Sequence, residues 1–185
     1  YNVINPLKII FLLIITASCS TLMEDKNLNK NNVINKIQSI DSNFSNLDTL
    51  LFVDIDTQSL LHIKKGTVFK KYSISSSYYG TGSTENSLKT PLGRHEIYKK
   101  IGNGLPNNAI LKGRVWNGAI ADIITEPIDT DFDLVTSRIL WLDGLEVGKN
   151  KGEGIDSRNR YIYIHGTAEE GLIGKPASDG CIRMY

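Results

Sequence analysis

A chain of 185 residues fits one ordinary domain plus an export segment but not two domains, and 41% apolar residues are enough for a sizeable core. Lys and Arg total 21 against 20 Asp and Glu, so the formal charge of +1 gives no reason to expect a nucleic-acid partner. Electrostatics alone names no ligand.

The N-terminal end reads as an export signal. Lys8 precedes the apolar run Ile9 to Ile15, which is too short to span a bilayer and sized for a signal-peptide core. Thr16-Ala17-Ser18-Cys19 follows, with small residues leading to a cysteine as in the lipobox of bacterial lipoproteins. Thr16 stands where leucine is usual, so lipidation of Cys19 and plain cleavage after Ser18 both stay open. With lipid on Cys19, membrane contact is through that lipid alone, and Ser20 points to the outer membrane under the usual sorting rule. The expected organisation is a signal segment over 1–19, an Asn-rich tether over 20–48 and a folded domain over 49–185. Within the tether Val33, Ile34, Ile37, Ile40, Phe44 and Leu47 fall near helical spacing, predicting a short helix, although its asparagines compete with the helix backbone.

From Leu51 the period changes to two. Val53 and Ile55 alternate with aspartates, Thr57 to Ser59 forms a turn, and Leu60 to Lys64 is a second strand. Lys65-Gly66 makes a tight turn into a third strand over Val68 to Ser75, so a β-meander is predicted. Further strands are predicted at His95 to Tyr98, Arg138 to Leu142 and Tyr161 to Ile164. Between Ile101 and Thr136 no period persists, which predicts a long lid or binding loop. Trp116 within it is either a substrate platform or an anchor pinning the loop. The fold class is mainly β.

The chemistry gathers at the C-terminal end. His165 ends the predicted strand, and Cys181 lies sixteen residues on, in Ser178-Asp179-Gly180-Cys181-Ile182-Arg183. A free thiol titrates near 8.5, and a neighbouring imidazole makes it a nucleophile by taking its proton. Gly180 leaves room at the sulfur, and main-chain N–H groups around Gly180 and Cys181 suit a tetrahedral oxyanion. If Cys19 carries lipid, Cys181 is left as the only free thiol of an exported protein, a liability that function explains better than packing does. His62 and His95 lack metal-ligand spacing, and no phosphate-cradling glycine loop is present; no metal or other cofactor is expected.

The stretch YIYIHGTAEEGLIGKPASDGCIRM, Tyr161 to Met184, resembles the signature of the L,D-transpeptidase (YkuD-type) catalytic domain. The likeness extends to VDIDTQSLLHIKKGTVFKKYSIS, TPLGRHEI and SRILWLDGLEVGKN, and so covers roughly residues 50–185. It implies a β-sandwich or barrel-like catalytic domain with few short helices. Cys181 takes the nucleophile's position, His165 the base's, and the Gly166 carbonyl orients the imidazole. Ser178, Asp179 and Arg183 fall at substrate-binding positions, Arg183 either holding a stem-peptide carboxylate or serving as an internal ion pair. Asp179 departs from the family's second histidine, and a carboxylate aimed at the sulfur would oppose thiolate formation. The implied partners are peptidoglycan stem peptides and, as an acceptor, an amine of a second stem or an envelope protein. Water as the acceptor would give a carboxypeptidase or endopeptidase instead, and a decayed site would leave a peptidoglycan-binding lipoprotein. The chain opens on Tyr1 and ends at Tyr185 directly after the motif, so a piece lacking the family's later helix and closing strand is expected.

Overall fold

The computed structural model describes residues 34–39 and 47–185. Residues 34–39 are helical. The expected signal segment and Cys19 lie outside the described residues.

Of the chain's two units, the second, Leu47–Tyr185, carries nine strands among the described residues. The first three form an antiparallel meander: β1 (Thr49–Asp54), β2 (Ser59–Lys64) and β3 (Thr67–Ser73), in the order β1-β2-β3. Its second turn is dictated locally. Lys65 and Gly66 both take left-handed backbone angles (φ 45° and 71°), the pattern that matches the twist of a two-residue hairpin, and Lys64 pairs with Thr67 across it.

The larger sheet has β4 (His95–Ile101), β5 (Ala109–Lys112), β6 (Val115–Ile120), β7 (Val135–Gly144), β8 (Tyr163–Thr167) and β9 (Ile182–Met184). Its path is β6-β5-β7-β8-β9, with β4 also paired to the long β7. All pairings are antiparallel except β8 with β9, where Ile164 faces Ile182 and His165 faces Arg183. The continuation of β3 joins this edge, because Ser75 bridges Arg183.

Alternation along β7, β8 and β9 sorts the side chains onto two faces. Leu140, Leu142, Ile164 and Ile182 pack with Leu60, Ile74, Val53 and Tyr72, which closes the core between the two sheets. Each fully buried Leu or Ile there contributes about 1.5–3 kcal/mol of apolar transfer. The opposite face of the same strands presents Ile139, Trp141 and Tyr163, packed with Leu111 and Cys181. One face therefore builds the sandwich and the other is left for a site.

Two readings from sequence need correction. The aperiodic stretch between Ile101 and Thr136 contains the β5–β6 hairpin, missed because β5 has only four residues and every residue of β6 is exposed, so no alternation of burial marks it. Trp116 lies on β6, its indole N–H donating to Ala119 O of the same hairpin. The strand expected over Tyr161 to Ile164 is instead Tyr163–Thr167, which puts His165 at its centre rather than its end. Tyr161 has φ 57°, a left-handed conformation that cannot continue a strand.

Candidate active site

Cys181 stands just before β9, level with Tyr163 of β8. Its sulfur accepts from the Tyr163 main-chain N–H at 3.3 Å, and the thiol points at the Tyr161 carbonyl at 3.5 Å. Burial pushes the thiol up to about 12; the Tyr163 N–H and Arg160 act against this, while Asp133 and Asp179 add to it. At rest the group is a neutral thiol.

His165 is 3% exposed and lies on the same strand face as Tyr163, their ring centroids 6.5 Å apart in an edge-to-face arrangement. Nδ1 sits 2.7 Å from the Gly166 carbonyl. A carbonyl only accepts, so Nδ1 carries the proton and Nε2 holds the lone pair. Among the described residues Nε2 makes no hydrogen bond, which leaves its lone pair uncommitted. Burial lowers the imidazole's pKa, opposed by the Gly166 carbonyl and Asp133, which leaves it neutral near pH 7.

No hydrogen bond joins Sγ to the imidazole in this state. The two groups share a face, with Cys181 level with Tyr163 and His165 two residues further on, a rise of roughly 6.6 Å along β8. Gly166 is required by space: a Cβ there would lie 2.9 Å from Thr136 O. Gly180 is required by conformation, at φ 115°, and its N–H donates to Ser178 Oγ at 3.3 Å.

The other expected site residues separate. Ser178 is fully buried and braces the loop, donating to Cys181 O at 2.6 Å. Arg183 is fully buried too, with Nη1 on Glu169 (2.6 Å) and Asp133 (3.0 Å) and Nη2 on Ser75 Oγ (3.4 Å). This is the internal ion-pair alternative, and it leaves the guanidinium no outward face for a substrate carboxylate. Glu169 in turn accepts from the Thr130 main-chain N–H at 2.9 Å, so the same network pins the loop before β7. Asp179 is exposed and lines a cleft of about 290 Å³ with Tyr78, Tyr79, Asp129, Asp131 and Asp133. Desolvation, then Asp133 and Asp129, raise its pKa. His95 is structural, bridging Gly93 O and Ser157 Oγ, and His62 meets Phe69 edge-on. Among the described residues no group of three or more His, Cys, Asp or Glu side chains is arranged to hold a metal ion.

Three contributors were not read from sequence: the Tyr163 N–H, Arg160, and Glu169 as the partner of Arg183. Only Arg160 carried a signal, as the cation directly ahead of the aromatic run to His165. It donates to the Gly82 and Lys89 carbonyls and places positive charge near the thiol.

Fold and site together define a two-sheet β domain with a thiol and an oriented imidazole on the free face of one strand pair. The model of the YkuD family, the L,D-transpeptidase catalytic domain, matches residues 48–185, and the chain belongs to that family. Among solved structures it is similar to an L,D-transpeptidase from Mycobacterium smegmatis, at 17% identity over 74% of this chain and 49% of that one (TM-score 0.38). It is also similar to the L,D-transpeptidase LdtMt1 solved in complex with imipenem, at 14% identity over the same shares (TM-score 0.41). The chain thus spans about half the length of those proteins. No curated protein matches it.

Proposed function

We propose that the protein is a peptidoglycan L,D-transpeptidase of the bacterial cell envelope, with Cys181 as nucleophile and His165 as general base. The observation that carries the reading is the shared face of β8 and β9: the thiol lies beside Tyr163, and the imidazole one pleat on is held by Gly166 O with Nε2 free. Nε2 takes the thiol proton as the sulfur attacks the carbonyl carbon of the third stem residue. The C–N bond to the terminal D-amino acid breaks, and its nitrogen leaves with the proton from Nε2. The resulting thioester is attacked by an amine, which gives a proton to Nε2, and the sulfur departs and is reprotonated. The acceptor is a second stem or an envelope protein, and an N-terminal lipid on Cys19 would hold the enzyme at the membrane.

Incubation with disaccharide tetrapeptide, followed by mass spectrometry, tests this. Cross-linked dimer supports amine transfer, whereas free tripeptide alone would make the enzyme a carboxypeptidase. A second reading, a peptidoglycan-binding lipoprotein with a silent thiol, is favoured by the strongly raised Cys181 pKa and by Asp179. A carbapenem separates the two, since a competent thiol gains the drug's mass and Cys181→Ala does not. Wild-type protein that stays unmodified while it sediments with sacculi would decide for binding.

A further inference from the structure

The tip of the β5–β6 hairpin carries a residue that the proposed chemistry does not yet use. Lys112 pairs with Val115, and the two residues between them, Gly113 and Arg114, have φ 57° and 68°. This turn pattern favours Gly or Asn at both places, so an arginine there is strained. The side chain is not loose. Its guanidinium lies over the rings of Trp141 (4.7 Å) and Tyr161 (4.9 Å), and Nη1 donates to the Tyr163 hydroxyl at 3.1 Å.

Other arginines near the site are committed. Arg158 pairs with Asp143, Arg160 donates to two carbonyls and Arg183 is sealed in its ion pair. Arg114 has no carboxylate partner among the described residues; its guanidinium meets the Tyr163 and Tyr161 side chains and the Trp141 ring. Because the Tyr163 oxygen accepts from Arg114, the phenol proton remains available to a second acceptor.

We propose that Arg114 and the Tyr163 hydroxyl form the subsite that receives the free C-terminal carboxylate of the donor peptide. Tyr163 sets the geometry, since its main-chain N–H holds the Cys181 sulfur while its hydroxyl meets the guanidinium. Tyr163 thus links the two groups, its main chain meeting the sulfur and its side-chain hydroxyl the guanidinium. In an extended peptide the next carbonyl carbon lies roughly 3.5 Å beyond the scissile one, and a charge-assisted hydrogen bond adds about 2.8 Å. On this assignment the carboxylate one residue past the attacked carbonyl is the group that meets the fork. This assignment rests on the transpeptidase reading and names the feature by which its donor is selected.

The test uses the full chain carrying Cys181→Ala, so that the peptide is bound and not consumed. Calorimetry compares a stem tetrapeptide with its C-terminal amide. The acid is expected to bind about tenfold or more tightly than the amide. Arg114→Asn, whose new residue tolerates the left-handed turn, brings that ratio to about one. Arg114→Lys keeps part of the preference, as a charge without the fork. A ratio near one with Arg114 in place, a ratio that survives Arg114→Asn, or no binding of either peptide overturns the assignment. Failure of the parent reading is seen separately, as absence of a thioester on wild-type Cys181 with the tetrapeptide.

Discussion

At Cys181 the balance of forces decides how the thiol is activated. Burial outweighs the Tyr163 N–H and Arg160 and holds the group up to about 12, so an ion pair with His165 does not exist before substrate arrives. Alkylation of the free enzyme by iodoacetamide should show no thiolate inflection below about pH 9; an inflection near neutrality would mean a preformed thiolate–imidazolium pair. Acylation by substrate should depend on a neutral imidazole instead. Since burial lowers the His165 pKa, the acid limb of the rate profile falls below its ordinary 6.5, and a limb above that value would contradict the assignment. Replacing the base, as in His165→Gln, should slow acylation about a hundredfold or more, read from the rate of adduct formation. The thiol and the imidazole were visible in the sequence because a cysteine behind a glycine and a histidine before one are rare enough to notice. The grip of Tyr163 on the sulfur was not, because a main-chain N–H leaves no mark in composition.

Strand alternation turns a short β8–β9 pair into a site. Ile164 and Ile182 anchor one face in the core, and the same pleat presents Tyr163 and His165 on the other. Gly166 sits where β8 crosses β7, so Gly166→Ala should push against Thr136 O and cost about 1–3 kcal/mol in a urea titration. Behind the pair, Glu169 and Arg183 tie β9 to the loop before β7. Glu169→Gln leaves a fully buried guanidinium with one fewer charged partner, and a loss of about 3 kcal/mol or more is expected; a change under 1 kcal/mol would show that the pair is dispensable. The meander was legible because its apolar residues alternate and Lys65-Gly66 suits its turn. The β5–β6 hairpin was not, since an exposed two-stranded arm has no buried face for periodicity to report. Arg183 was ambiguous for a related reason: sequence shows a guanidinium but not whether it points into the protein or out.

For the molecule as a whole, the buried His165 and the half-buried Cys181 bound the pH range of stability. His165 has its pKa lowered, so its contribution is present above about 6.5 and is lost as pH falls through the folded-state value. Cys181 has its pKa raised, so its contribution is full below 9.0 and is lost as pH rises towards about 12. The urea midpoint should therefore decline on both sides of this window, and His165→Gln should flatten the acid side; an unchanged acid side would place the pH dependence elsewhere. The mainly β architecture followed from period-two patterning, while the pairing of β8 with β9, such as His165 with Arg183, could be reached only through folding. The most direct test of the central claim is mass spectrometry of intact protein after incubation with disaccharide tetrapeptide. The account predicts an acyl adduct on Cys181 equal to the disaccharide tripeptide with release of the terminal D-amino acid, absent in Cys181→Ala and sharply reduced in His165→Gln. Wild-type protein that remains unmodified, or an adduct that forms equally fast without the imidazole, would contradict it.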